Sequence, residues 1–374
     1  MPLVICSKSS WHPSIRREHA MAELAAAHGH PVLFVERPRD VRALTRPDEA
    51  RAWWRGLRGT TRHEHTRPGV RVMAQATVLP GHLNGASELT STALLRRGLR
   101  RVERRGSVVV NVPWQWPASA SLAARRVFDC ADDWSALMPH RTARLEELYA
   151  RIGREADAIV LANSSLASSF PSERTLVVRN GVAEEMLAPL IPPAGGSRLI
   201  HTGTLTPRFD AELAAAVLDR LPEDWTLELY GQCQYPGARD RPDAELARLL
   251  ADHAPRVSWH GVIPRESLAG AIDAAAVALV LNRPERSCGQ DSMKLYDYAA
   301  RGRPIVTTRF SPSLEQDGPP HLCVVDDPAA MAEAILAARR EPDGWARDRR
   351  AWAERQRWES RWPAWSAALF GGAA

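Results

Sequence analysis

The stretch Ser292-Met293-Lys294-Leu295-Tyr296-Asp297-Tyr298-Ala299-Ala300-Arg301-Gly302-Arg303-Pro304-Ile305-Val306 reads as a loop that enters a helix, stops at Gly302-Arg303-Pro304 and runs straight into a buried strand. Backbone N–H groups at a helix start can hold an anion, and Lys294 lies within the first turn. Asp297 follows one turn later, where its carboxylate can accept hydrogen bonds from hydroxyl groups. The same spacing also fits an ordinary helix–strand unit with a solvated acid and base.

On both sides of this stretch, short β-branched runs alternate with Ala/Leu/Arg/Glu segments, the pattern of βα units around a mainly parallel sheet. Expected strands in the first half are 3–6, 32–36, 70–74, 107–112, 126–129, 158–162 and 175–178. Expected helices there are 15–28, 87–104, 142–155 and 165–170. The aperiodic Pro/Gly segment 190–197 then reads as a linker. A second set of strands follows at 198–202, 227–231, 257–260, 277–281, 304–307 and 323–325. The expectation is an α/β chain of two Rossmann-like doubly wound domains, 1–190 and 191–345, facing a cleft. Residues 346–374 form a final Trp-rich helix that crosses back to the first domain, and Trp345, Trp352, Trp358, Trp362 and Trp365 pack rather than bind. The segment 39–67, with Trp53-Trp54, shows no clear periodicity and reads as a long loop, of the kind that either binds ligands or is a disordered insertion.

The 374 residues suit two domains, and 45% hydrophobic with 25% charged residues excludes collagen-like, low-complexity and disordered chains. No run of about 18 apolar residues occurs and the start lacks the marks of a secretory signal, so a cytoplasmic protein is expected. Cys6, Cys130, Cys233, Cys288 and Cys323 are scattered and never in C-x-x-C, which argues for reduced thiols and against a zinc knuckle. The net charge of +5 conceals an asymmetry. Residues 1–180 carry 27 Lys+Arg against 17 Asp+Glu, and residues 181–374 carry 22 against 27. A basic half suits an anionic membrane, an acidic ligand or nucleic acid, and no recognised module supports the last. Only Lys8 and Lys294 are lysines, so a lysine inside a motif is informative. No G-x-G-x-x-G follows the first strand of either half, which disfavours a dinucleotide-dependent oxidoreductase.

The 292–306 stretch resembles the KLYEYLAAGKPVV-type signature of glycosyltransferase family four, retaining nucleotide-sugar enzymes of the GT-B fold, particularly the branch similar to teichuronic acid and exopolysaccharide enzymes. Many members have E-x7-E here. The second Glu, which binds the donor ribose, is matched by Asp297, and the position of the first is Gly289. Three further segments fit the same order. His201-Thr-Gly-Thr-Leu-Thr-Pro-Arg208 resembles the first strand and Gly turn of the donor domain, with Gly203 and Thr204 near phosphate and Arg208 as the basic residue for the diphosphate. Gly231 and the Val262-Ile263 backbone match the next strand ends, the latter where nucleobase contacts are made. Arg179-Asn-Gly-Val182 is similar to the NGVD segment that ends the acceptor domain.

The resemblance implies a hexosyltransferase-type enzyme that moves a sugar from a nucleotide diphosphate sugar to an acceptor hydroxyl, with retention, no metal and no other cofactor. Lys294, Arg208 and the Ser292–Met293 and Gly203 amides would meet the leaving diphosphate. Asp129, Asp132 and Asp133 end a strand of the first half. Asp132 or Asp133 is the candidate base if one is used, with helix capping as the plain alternative. The Lys8–His12 loop occupies the acceptor position of the resemblance. The acceptor is lipid-linked or a small natural product, and the basic helix 94–105 could touch anionic lipid. A nucleotide-sugar 2-epimerase, or an inactive GT-B scaffold subunit suggested by Gly289 and Asp297, are the alternatives.

Overall fold

The computed structural model describes residues 1–12, 16–63, 67–100, 106–122, 125–191, 196–235, 240–287 and 289–371. The chain divides into two compact units, Met1–Arg179 with Arg361–Ala374, and Asn180–Ser360.

The first unit holds β1 (Leu3–Cys6), β2 (Val32–Val35), β3 (Thr61–His63), β4 (Val70–Met73), β5 (Ser107–Val110), β6 (Arg125–Cys130), β7 (Ala158–Leu161) and β8 (Thr175–Val177). Their order is β3-β4-β2-β1-β5-β6-β7-β8, and every pairing is parallel except β3 on β4. The central strands read LVIC, VLFV, SVVV and AIVL and are buried throughout, because helices cover both faces of a parallel sheet and leave no polar side. The order reverses at β1/β5, the switch point where doubly wound sheets open a crevice at their carboxyl ends.

The second unit holds β9 (Arg198–Thr202), β10 (Thr226–Tyr230), β11 (Val257–Trp259), β12 (Val277–Val280), β13 (Ile305–Thr307) and β14 (Leu322–Val324). All pairings are parallel in the order β11-β10-β9-β12-β13-β14, the 3-2-1-4-5-6 arrangement, with its switch point at β9/β12.

Four expectations change. The first domain ends at Arg179 rather than 190, because Val182 bridges Arg357 and Met186 and Leu187 belong to the second unit's core. The Trp-rich tail is two helices, Asp343–Arg355 in the second unit and Trp362–Phe370 in the first, with a 3-10 turn at Trp358–Arg361. Only the last helix crosses back. Trp365 is buried under the Arg17 guanidinium, 4.5 Å from its ring, and Arg125 Nε donates to the Ala368 carbonyl at 2.8 Å. The segment read as a loop at 39–67 contains the helix Pro47–Arg58 and the edge strand β3. Pro47 starts that helix and Gly59, at φ +61°, ends it. Ser164–Ser169 is a 3-10 turn rather than a helix. Of the basic segment 94–105, residues through Leu99 continue the helix Gly85–Leu99, and 101–105 lie outside the described residues, as does Cys288.

Candidate functional site

The helix Met293–Ala300 rises from the loop after β12 and lies against β9. Tyr298 fixes it there. Its buried hydroxyl accepts from the Thr202 N–H at 2.8 Å and lies 3.1 Å from Thr202 Oγ1, so the side chain meets the backbone group at the end of β9. The next residue is Gly203, at φ +98°, a left-handed conformation that favours glycine. A Cβ there would stand 3.1 Å from Lys294 Cε and 3.4 Å from its Nζ. The lysine stem therefore lies along bare backbone at the switch point of the sheet.

Gly231, at φ +137°, closes the same corner, because a Cβ on it would fall 2.0 Å from the Gly203 carbonyl oxygen. Its N–H donates to Gly261 O at 2.7 Å, and its carbonyl accepts from Trp259 Nε1 at 2.8 Å. The loop carrying Val262, which is exposed, and Ile263, which is half-buried, is thus tied to the Gly203 turn. Gly203, Gly231, the Val262-Ile263 loop and Lys294 are brought together within the second unit. Thr204 is half-buried in the Gly turn, and Ser292 and Met293 form the helix start, where Ser292 is the N-cap residue. Arg208 turns toward the loop after β12, its Nε donating to Arg286 O at 3.1 Å while its own carbonyl accepts from the Arg283 N–H at 2.7 Å.

Asp297 is half-buried on this helix. Burial pushes its carboxyl up to about 6, against the pull of the Arg265 and Lys294 charges and with help from Glu185. His201, buried one strand position before Thr202, is held well below the usual imidazole range by burial and by the Lys294 charge, and so stays neutral.

Sequence reasoning missed the residue that shapes the loop into this helix. Asp291 accepts from the Asn180 N–H at 2.6 Å and from Tyr296 OH at 2.9 and 3.0 Å, while its carbonyl accepts from Asn180 Nδ2 at 2.6 Å. The Asn180-Gly181 pair, read as ending the acceptor domain, is instead part of the second unit. A Cβ on Gly181 would lie 2.8 Å from the Trp358 ring. The only local signal was the Asn-Gly turn itself, since the partners are 111 residues apart in sequence.

In the first unit the three strand-end carboxylates have separate partners. Asp129 is fully buried, paired with Arg17 Nε at 2.9 Å and bonded by Asn111 Nδ2 at 2.9 Å. Asp132 accepts from Lys8 Nζ at 2.6 Å, which ties the Lys8–His12 loop to the end of β6. Asp133 caps the turn Trp134–Leu137, accepting from the Ser135 and Ala136 N–H groups at 3.0 and 3.1 Å. Both nominated residues thus sit at the carboxyl end of the sheet, one as an ion-pair partner and one as a cap.

The family model described as Glycosyl transferases group 1 matches residues 196–340, the part of the chain that carries this cluster. No curated protein matches the chain. Among solved structures, sucrose-phosphate synthase from Thermosynechococcus elongatus superposes with a TM-score of 0.75 at 17% identity, covering 100% of both chains. HepE from Anabaena in complex with UDP-glucose gives 0.71 at 13% identity, covering 99% of this chain and 100% of its own. The trehalose-6-phosphate synthase OtsA gives 0.73 at 11% identity, covering 99% of each chain. At such identities the structural likeness establishes the two-domain GT-B fold, and the family match places a Glycosyl transferases group 1 domain over residues 196–340, within the second unit.

Proposed function

We propose that the protein moves a sugar from a nucleoside diphosphate sugar to an acceptor hydroxyl, with retention at the anomeric carbon and without a divalent metal. The observation that carries this reading is Lys294 lying along Gly203 at the β9/β12 switch point, where an ammonium and unshielded backbone meet. As the bond between anomeric carbon and phosphate oxygen breaks, negative charge builds on the leaving diphosphate. Lys294 and the Gly203 and Met293 N–H groups answer that charge, with Thr204 and Ser292 beside them and Arg208 contributing from its loop. Asp297 takes the ribose hydroxyls, and the backbone of Gly231, Val262 and Ile263 takes the base. The UDP-glucose bound by HepE supports a uridine nucleotide.

A leaving phosphate oxygen can accept the proton of the incoming hydroxyl on the face it departs from, so that one bond forms as the other breaks and no protein base is needed. The occupied carboxylates of Asp132 and Asp133 support that route over a base in the first unit. The acceptor is a cytoplasmic small natural product or a lipid-linked glycan. Thermal-shift measurements with UDP, GDP, dTDP and ADP test the reading, because a ligand at 100 times its Kd adds about 2.7 kcal/mol. The stabilising nucleotide, supplied as its sugar with cell lipid extract, should then be released. No shift with any nucleotide and no release would overturn the proposal.

A further inference from the structure

We propose that the first unit docks on an anionic membrane surface through the outer face of the helix Pro47–Arg58, with the turn Val41–Thr45 and the loop 77–84 beside it. This deepens the preceding reading, on which it rests only in that a lipid-linked acceptor would lie in that membrane, and it assigns the contact to a surface other than the helix Gly85–Leu99.

The inner face of the helix is settled by its contacts. Ala52 and Trp53 are buried, Trp53 Nε1 donates to the Thr77 carbonyl at 2.9 Å, and a Cβ on Gly56 would stand 2.5 Å from the Gln75 carbonyl carbon. What remains outside is Arg51, Trp54, Arg55 and Arg58, all exposed and spaced as one helical face. Trp54 is 51% exposed, and its ring packs edge to face on Trp53 with centroids 5.0 Å apart, so an anchored neighbour holds it at the surface.

The adjoining segments add apolar area. Val41 N–H donates to Val78 O at 3.2 Å and Thr77 Oγ1 to Leu79 O at 2.8 Å, which joins turn and loop to the strand ends under the helix. These segments carry Leu44, Val78, Leu79 and Leu83. With Trp54 they make up five of the twelve large hydrophobic side chains exposed among the described residues, gathered on three connected segments. Among the described acids nearby, Asp40 pairs with the exposed Arg42 at 2.6 Å and Glu49 with Arg39 at 3.3 Å.

Arginines around a half-exposed Trp with neighbouring leucines match the headgroup boundary of a bilayer. Guanidinium groups reach phosphates while their stems and the indole lie in the apolar edge. A nucleic acid would use the arginines and leave the leucines in water, so the apolar members favour lipid. No helix among the described residues is long and apolar enough to cross a membrane, and the contact is one of lying on its surface.

The test is co-sedimentation of the full chain with vesicles of phosphatidylcholine containing about one third phosphatidylglycerol, against phosphatidylcholine alone. Wild type should sediment with the anionic vesicles only, and less as salt rises. Replacing Arg51, Arg55 and Arg58 together by Ser should weaken binding on the order of 100-fold, at roughly one Arg-lipid contact each. Trp54→Ser should weaken it about tenfold, and Arg97→Ser with Arg100→Ser should leave it unchanged. Circular dichroism checks folding, and if the triple variant is unfolded, Trp54→Ser combined with Leu79→Ser carries the comparison. The uridine nucleotide thermal shift is measured on every variant. Its absence from wild type counts against the glycosyltransferase reading alone, because sedimentation does not depend on it. The docking proposal is overturned by wild type that ignores anionic vesicles, by unaltered binding of the 51/55/58 and 54 variants, by loss of binding through Arg97 and Arg100, or by full competition from duplex DNA with no effect of Trp54→Ser.

Discussion

Lys294 is one of two lysines among 49 Lys+Arg, and its position against Gly203 makes it the residue on which the proposed chemistry turns. An ammonium beside the leaving diphosphate gains interaction as charge accumulates, so its loss falls on the transition state. Lys294→Ala should lower kcat on the order of 100-fold, about 2.7 kcal/mol, with an unchanged circular dichroism spectrum. Lys294→Arg should recover only part, since a planar fork does not replace a compact charge. Asp297 offers a test with a sign. Its carboxyl rises from an ordinary 3.8 to about 6 in the folded chain, so ionising it disfavours the fold. That cost is absent below the unfolded value, grows as pH climbs from 3.8 to about 6, and is constant above. Asp297→Asn should therefore gain in Tm relative to wild type across that window and hold the gain above it. The same variant should raise the donor KM, because the neutral amide is a poorer partner for ribose hydroxyls. A Tm difference that does not vary with pH would show that Asp297 ionises without cost.

At the scale of the element, the loop into the Lys294 helix depends on a buried acid held from two directions. The single hydroxyl proton of Tyr296 is shared between the two carboxylate oxygens of Asp291, and Asn180 grips this acid from the start of the unit. Tyr296→Phe removes a hydrogen bond to a buried carboxylate and should cost roughly 1.5–3 kcal/mol in denaturant unfolding. It should also lower kcat, since the helix start shifts while Lys294 itself is intact. The glycine corner is stiffer. Gly231→Ala places a methyl group 2.0 Å from the Gly203 carbonyl at a φ of +137°, and only backbone movement can relieve it. Loss of the nucleotide thermal shift in this variant, beside retained shift in Gly196→Ala, whose Cβ would meet open space, is the expected pair of results.

On the scale of the whole molecule, two units with separate cores should unfold with separate transitions. The last helix belongs to the first unit although the chain reaches it from the second. Trp365, Leu369 and Phe370 lie in that core, and Ser107 Oγ donates to the Leu369 carbonyl. Trp365→Ala should lower one transition by about 3–5 kcal/mol. A uridine nucleotide should raise the other, because its proposed contacts lie within 180–360. Calorimetry in which both changes act on the same transition would show that the two units unfold as one.

Much of this protein was legible without its fold. The apolar runs of β1, β5, β7 and β12 announce a parallel sheet because strands covered on both faces need no polar side. The Ser292–Val306 stretch marks its own helix, stop and strand because Gly and Pro act locally. Gly203, Gly231 and Lys294 could be nominated from motif order, but their contact depends on β9, β10 and the Met293–Ala300 helix meeting at one end of a sheet. The helix Pro47–Arg58 escaped a periodicity reading because its buried side is only Ala52, Trp53 and a glycine packed against backbone. Asp291 was invisible for a different reason. A carboxylate's partners are chosen by proximity in space, and Asn180 is 111 residues away. Local backbone preference and burial pattern are written in neighbouring residues, and the sequence by itself determined the architecture. Which polar groups meet, where the units divide and which unit claims the last helix are long-range outcomes of packing, and only the tertiary structure decided them.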